Sequence, residues 1–207
     1  MAPAVLVFDM DGVLVDVRES YREAITREHI QNLKNQGGWN NDWALSQKIC
    51  HDLGFTIDYD TVVAYFQSIF LGEDGLITRE RWVPAPGLLE RLSRRYRLAI
   101  FTGRTRAEAQ FTLSRHASRG TFDPIVTTDD IANGKPAPDG LHRIAALLPG
   151  ARLYYIGDTV DDARSARAAS VPFIGIAAGS AELASLLKEE GAIAVLNDIN
   201  LLETVLP

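Results

Sequence analysis

Ala4-Val5-Leu6-Val7-Phe8-Asp9-Met10-Asp11-Gly12-Val13 joins a short apolar run to two carboxylates one residue apart, with a glycine behind them. The run reads as a buried strand, and the glycine marks the turn that ends it. In an extended chain alternate side chains share a side, so Asp9 and Asp11 are expected to face one crevice. Two like charges so close are costly unless a cation or a shared proton offsets them. The junction therefore points to a place where metal and acid–base chemistry meet.

Outward from this junction, further apolar runs read as buried strands: Leu98–Thr102, Pro124–Thr127, Leu153–Gly157, Phe173–Ala177 and the short Ile193–Leu196. Between them Gly87–Arg95, Arg106–Ser118, Asp139–Leu148, Asp161–Ala169 and Ser180–Glu190 read as helices. Such alternation predicts an α/β fold, a Rossmann-like parallel sheet with helices on both faces. Asp16–Val83 breaks the rhythm. It carries helix patterns over Arg18–Lys34, Asp42–Leu53 and Asp60–Leu71, and no convincing buried strand. Tyr21, Ile25 and Leu33 approximate one face of the first, and Val62, Val63, Phe66, Ile69 and Phe70 one face of the third. An insertion of this length suits a small all-helical cap over the site. The expected division is a core of residues 1–15 and 84–207 and a cap of 16–83.

Composition narrows the partners. The chain has 207 residues, 46% hydrophobic and 23% charged, as in ordinary globular domains. Its net charge of -6 gives no electrostatic reason to expect nucleic acid or an anionic membrane. The single cysteine, Cys50, forms no internal disulfide and reads as a packed residue rather than a nucleophile. The N-terminal apolar run is too short for a signal peptide or a membrane span, and the protein is expected to be cytoplasmic. The four histidines are scattered, without the spacing of a histidine metal site.

In an open parallel sheet, ligands bind beyond the carboxyl ends of the strands. Asp9 and Asp11 follow the first strand there, Thr102-Gly103-Arg104 the second, and Asp158 the fourth, within Gly157-Asp158-Thr159-Val160-Asp161-Asp162. Lys135 lies in Gly134-Lys135-Pro136-Ala137-Pro138-Asp139. A hydroxyl, a lysine and several carboxylates thus converge on one sheet edge.

This order of motifs resembles the haloacid dehalogenase superfamily, and the insertion point resembles its subfamily I with a helical C1 cap. The segment Ala166–Pro172 is similar to the family's last helix and turn. The resemblance implies a phosphatase using Mg²⁺ on a small phosphorylated metabolite. It implies that Asp9 attacks phosphorus and forms an aspartyl-phosphate, while Asp11 protonates the leaving oxygen and later accepts a proton from water. It implies Mg²⁺ on Asp9, Asp158 and the backbone carbonyl of Asp11, a hard, partly hydrated oxygen set. Thr102, the Gly103 amide and Lys135 are implied to bind the phosphate oxygens. Without the cation and Lys135, each carboxylate at about 4 Å would repel the phosphate by roughly 4 kcal/mol at an effective dielectric of 20. Asp162 is implied to support the metal waters or Lys135.

Two positions depart from the family pattern. Gly103-Arg104 follow the threonine where asparagine is frequent, which opens a specificity role for Arg104, and Ser170 stands where glycine is frequent. In the cap, Trp39 and Asn40 are read either as cap packing or as a loop that selects substrate. A phosphomutase of the same superfamily and a non-enzymatic phospho-accepting signalling module remain alternative functions. A dehalogenase fits less well, since that branch lacks a carboxylate at the position of Asp11.

Overall fold

The structure, a computed structural model, describes residues 3–17, 27–71 and 74–207. Strand β1 (Ala4–Phe8) is buried from Val5 onward and leads into the Asp9–Leu14 turn. The Met10 carbonyl there accepts the N–H groups of Leu14 and Val15 at 2.9 Å. A two-residue strand, β2 (Val15–Asp16), leaves the turn. Helices α1 (Arg27–Gln36), α2 (Asp42–Asp52) and α3 (Tyr59–Phe70) follow. A 3₁₀ turn over Leu76–Arg79 then leads into β3 (Arg81–Trp82), which pairs antiparallel with β2.

The remainder alternates: α4 (Leu88–Ser93), β4 (Arg97–Phe101), α5 (Arg106–His116), β5 (Ile125–Val126), α6 (Asp139–Leu147), β6 (Arg152–Gly157), α7 (Val160–Ala168), β7 (Phe173–Ile176), α8 (Ala181–Glu189) and β8 (Ala194–Leu196). Among the described residues the main sheet has six strands in the order β5-β4-β1-β6-β7-β8, and every neighbouring pair is parallel. The expected α/β fold is what the chain adopts.

Alternation along β1 explains both layers. Leu6 and Phe8 pack with Leu88, Leu92, Ala109 and Leu113 of α4 and α5. Val5 and Val7 pack with Leu141, Ile144, Ala163 and Leu187 of α6, α7 and α8. Both faces of the strand are therefore buried, which is why its sequence is a continuous apolar run. The chain winds from β1 outward through β4 and β5, then returns to lay β6 on the other flank of β1. The strand order reverses at β1, so the crevice for a ligand opens at the carboxyl ends of β4, β1 and β6.

The insertion differs from expectation in its limbs. The β2–β3 ribbon was not legible, because two-residue strands have no periodicity to read. For the helix expected over Arg18–Lys34, positions 18–26, including Tyr21 and Ile25, lie outside the described residues. Ile30, Leu33, Leu45 and Ile49 form the small core of the insertion. No helix among the described residues is long and apolar enough to cross a membrane.

Candidate active site

Asp9 is the first residue past β1, and its N–H still donates to the Ile156 carbonyl of β6 at 2.8 Å. Its side chain is buried with that of Lys135, whose Nζ lies 2.7 Å from Asp9 Oδ1 and 2.7 Å from Asp162 Oδ1. Lys135 also sits over the rings of Phe101 and Tyr155, at 5.0 and 5.5 Å from their centroids. Burial alone would pull the lysine toward neutrality, but the carboxylates of Asp162 and Asp9 outweigh it and hold the ammonium charged.

Asp162 owes its place to local helix chemistry. Thr159 and Asp162 form a capping box at the start of α7. Asp162 Oδ2 accepts from Thr159 Oγ1 at 2.6 Å and from the backbone N–H of Thr159, while Oδ1 accepts from the Tyr155 hydroxyl at 2.6 Å. Burial pushes the Asp162 carboxyl upward, and the Lys135 charge and these hydrogen bonds more than reverse it, leaving the pKa low.

Asp158 completes the group. Ligand oxygens of Asp9, Asp158 and Asp162 all lie within 4.8 Å of one another. Gly12 makes the approach possible: its φ is +69°, and a Cβ there would sit 1.9 Å from Asp158 Oδ2. Three carboxylates and one ammonium leave a net charge of -2, so a hard divalent cation fits this donor set. Asp9 registers the crowding. Burial, then the charges of Asp162 and Asp11, push its carboxyl up to about 7 against the opposing pull of Lys135.

The Asp11 side chain lines the same cavity but has a different partner from Asp9. The side-chain carboxylates that converge most closely are those of Asp9, Asp158 and Asp162; the Asp11 ligand that the resemblance implies is its backbone carbonyl. The Asp11 carboxylate pairs instead with Arg104, whose Nε and Nη2 lie 2.7 and 2.6 Å from Oδ1. The turn closing at Gly12 ends the strict alternation of the strand, yet Asp9 and Asp11 still line one cavity.

A cavity of about 370 Å³ opens above these groups. Its floor includes Asp9, Asp11, Thr102, Gly103, Lys135 and Asp158, so the two ends of the core motifs do meet. The insertion supplies a roof of Lys34, Asn40, Asn41, Asp42, Trp43, Phe66 and Phe70. Asn40 packs directly over the floor: a Cβ on Gly103 would lie 2.6 Å from its Nδ2. Trp39 packs against the small core of the insertion, and Trp43, not Trp39, lines the cavity. Lys34 and Asp42, ion-paired at 2.9 Å, form a polar roof that the motif pattern did not flag. Phe66 and Phe70 were legible only as one helix face, since apolar spacing does not tell a core face from a cavity wall.

A family model for haloacid dehalogenase-like hydrolases matches residues 3–170. The chain belongs to this family. Among curated proteins, this haloacid dehalogenase-like hydrolase is 30% identical to an imidazoleglycerol-phosphate dehydratase of Phytophthora nicotianae. That match covers 90% of the chain but only 46% of the dehydratase. It is 27% identical to a phosphoglycolate phosphatase of Cereibacter sphaeroides, over 81% of the chain and 82% of that protein. A solved hydrolase from Pseudomonas syringae superposes with a TM-score of 0.72 at 22% identity, covering 97% of the chain and 96% of that structure. This last likeness concerns the fold.

Proposed function

We propose that this hydrolase is a Mg²⁺-dependent phosphomonoesterase acting on a small phosphorylated metabolite. The observation that carries the reading is the buried Lys135 ammonium wedged between Asp9 and Asp162 beside Asp158, on the floor of the cavity. Asp9 supplies the nucleophile: one carboxylate oxygen bonds to phosphorus as the ester oxygen departs. Asp11 gives that oxygen its proton. Water then attacks the phosphorus of the aspartyl-phosphate, Asp11 takes the water proton, and the bond from phosphorus to Asp9 breaks to release inorganic phosphate. Thr102, the Gly103 amide and Lys135 hold the remaining phosphate oxygens. Mg²⁺ would be held by Asp9, Asp158 and the Asp11 carbonyl, and when bound it supplies charge that keeps Asp9 ionised and tolerates the phosphate dianion.

The same reading divides the chain into a core, residues 1–15 and 84–207, and a cap, 16–83, whose roof contacts select the leaving group. The likeness to a named phosphatase supports this assignment. The test is a panel of phosphorylated metabolites assayed for inorganic phosphate with Mg²⁺ and with excess chelator. Phosphate release that needs Mg²⁺ is expected. Equal release in chelator removes the metal assignment, and transfer to a second hydroxyl without free phosphate makes the protein a mutase.

A further inference from the structure

Arg104 lines the cavity, yet its guanidinium is engaged by other side chains of the protein. Its side chain is 4% exposed. Nε and Nη2 both point at Asp11 Oδ1. On the far side Nη2 donates to Glu80 Oε1 at 2.6 Å and Nη1 to Glu80 Oε2 at 3.1 Å. Nη1 also donates to Thr112 Oγ1 at 2.9 Å, and that hydroxyl donates onward to Glu80 Oε2 at 2.9 Å. Of the five N–H donors of an arginine, four make hydrogen bonds to Asp11, Glu80 and Thr112, and Nη2 is also ion-paired with Asp11.

The pattern on Asp11 is one-sided. Both contacts fall on Oδ1, and among the described residues no hydrogen bond falls on Oδ2. One oxygen is clamped, and the residue lines the cavity. The outer end of the clamp lies off the catalytic floor. Glu80 is buried between the 3₁₀ turn and β3, on the limb where the chain returns from the insertion, and Thr112 is buried on α5. Burial pulls the Arg104 pKa down, but Asp11 and Glu80 together hold it well above normal, so the charge is permanent. A buried ion network of this kind gives little stability over apolar packing of the same volume, and its use is in fixing geometry.

Building on the acid–base role proposed for Asp11, we infer that Arg104 and Glu80 are positioning residues. They hold the Asp11 carboxylate by Oδ1 so that Oδ2 meets the leaving oxygen and then the water. The clamp ties the proton-transfer step to the return limb of the insertion. Arg104 is thereby a residue of the acid–base apparatus rather than of substrate selection.

The experiment uses the full chain with Mg²⁺ and three variants: Glu80→Gln, Arg104→Ala, and the double variant Glu80→Met with Arg104→Met. The double variant removes both buried charges together, so neither is left unpaired if a single variant fails to fold. Two substrates are compared, an alkyl phosphate and 2,4-dinitrophenyl phosphate, whose leaving group needs no proton. For the alkyl ester kcat is expected to fall about 10- to 100-fold, part of the usual general acid–base contribution, with KM within about twofold. The burst of dinitrophenolate should persist, with phosphate accumulating on Asp9 in quenched samples by mass spectrometry. Added guanidinium should restore part of kcat to Arg104→Ala. A rise in KM at constant kcat, or equal slowing of burst and alkyl turnover in the folded double variant, would overturn the clamp. Wild-type turnover through phosphorylated Asp9 tests the underlying reading separately, because it does not depend on Arg104.

Discussion

The floor and the roof of the cavity are built on different physical terms. The floor stands on a sheet whose two faces each bury a continuous apolar layer, and its charged groups are locked by one another: Lys135 by Asp9 and Asp162, Asp162 by Thr159 and Tyr155. The roof rests on the apolar cluster of Ile30, Leu33, Leu45 and Ile49. Polar links join it to the core. The Gly38 N–H donates to Asp161, Gln67 Nε2 donates to Glu108 at 2.8 Å, and Arg164 reaches the Gln36 carbonyl at 3.4 Å. Apolar burial is worth roughly 25 cal/mol per Å², whereas a single net hydrogen bond adds about 1 kcal/mol. A floor of the first kind suits holding reacting atoms still, and a roof joined by links of the second kind is the part expected to move. The contrast suits fixed chemistry below and adjustable recognition above.

The largest effect should come from the floor. Asp9→Asn replaces the proposed nucleophile with an amide and should lower kcat by roughly 10⁴-fold or more. The fold should survive, because the amide carbonyl still accepts from Lys135. Asp11→Asn should behave differently with 2,4-dinitrophenyl phosphate: Asp9 is still phosphorylated, and the intermediate accumulates for want of a base. Mass spectrometry after acid quench reads both. Activity that survives Asp9→Asn, or phosphate found on another residue, would end the division between a reacting floor and a selecting roof.

A smaller effect separates floor from roof directly. Lys135→Ala should depress kcat/KM for every phosphate ester by a similar factor, since the phosphate is common to them. It also leaves Asp9 and Asp162 facing each other without a cation, so a lower Tm is expected. Asn40→Ala and Trp43→Ala should instead change the ratios among natural esters by about tenfold, the scale of one lost polar or apolar contact of ~1.4 kcal/mol. Their kcat/KM on a small aryl phosphate should move little. Asn40 and Trp43 variants that slow all substrates equally while remaining folded would place selection outside this part of the roof.

The same contrast governs what was legible in the sequence. Buried parallel strands must be continuous apolar runs, and a catalytic floor at their ends must put its residues just beyond them. Asp9, Thr102 and Asp158 could therefore be found by position, whereas Lys135 was visible in a constrained loop and took its role from the family resemblance; the structure brings all four to one cavity floor. Asp162 was singled out by the family resemblance, and its capping box with Thr159 gives its place in the structure a physical cause. Asp11 lines the same cavity as Asp9, as expected, but its pairing with Arg104 could not be read from the alternation of the strand. Glu80 was not legible at all. It lies far from Arg104 in sequence and sits in a segment with no periodicity, so only the fold joins the two. Trp43, Phe66 and Phe70 were visible as aromatic or apolar positions, but whether such a face meets a core or a cavity depends on what packs opposite.

The finest test of the comparison is the link at Asp161. This carboxylate lies on the first turn of α7, where the helix terminus favours negative charge. It is buried, and both its oxygens accept from the Gly38 N–H, at 2.8 and 2.9 Å. Burial raises the carboxyl, and the Gly38 bond opposes that shift by favouring the charged form. Asp161→Ala removes the acceptor and leaves the Gly38 N–H without its partner, at a cost of about 1–3 kcal/mol if no water replaces it. Asp161→Asn keeps a carbonyl acceptor at the same place and should lose less. If this bond helps to hold the roof down, amide exchange across residues 37–43 should accelerate in the alanine variant while β1 and β6 stay protected. KM for a natural ester should rise a few-fold, with kcat on the aryl phosphate within about twofold, because only the closed roof gains from the link. Equal exchange in wild type and Asp161→Ala would mean that the roof is held by its other contacts. Faster exchange reaching β1 would mean that Asp161 supports the floor, and the separation between the two regions would fail at this point.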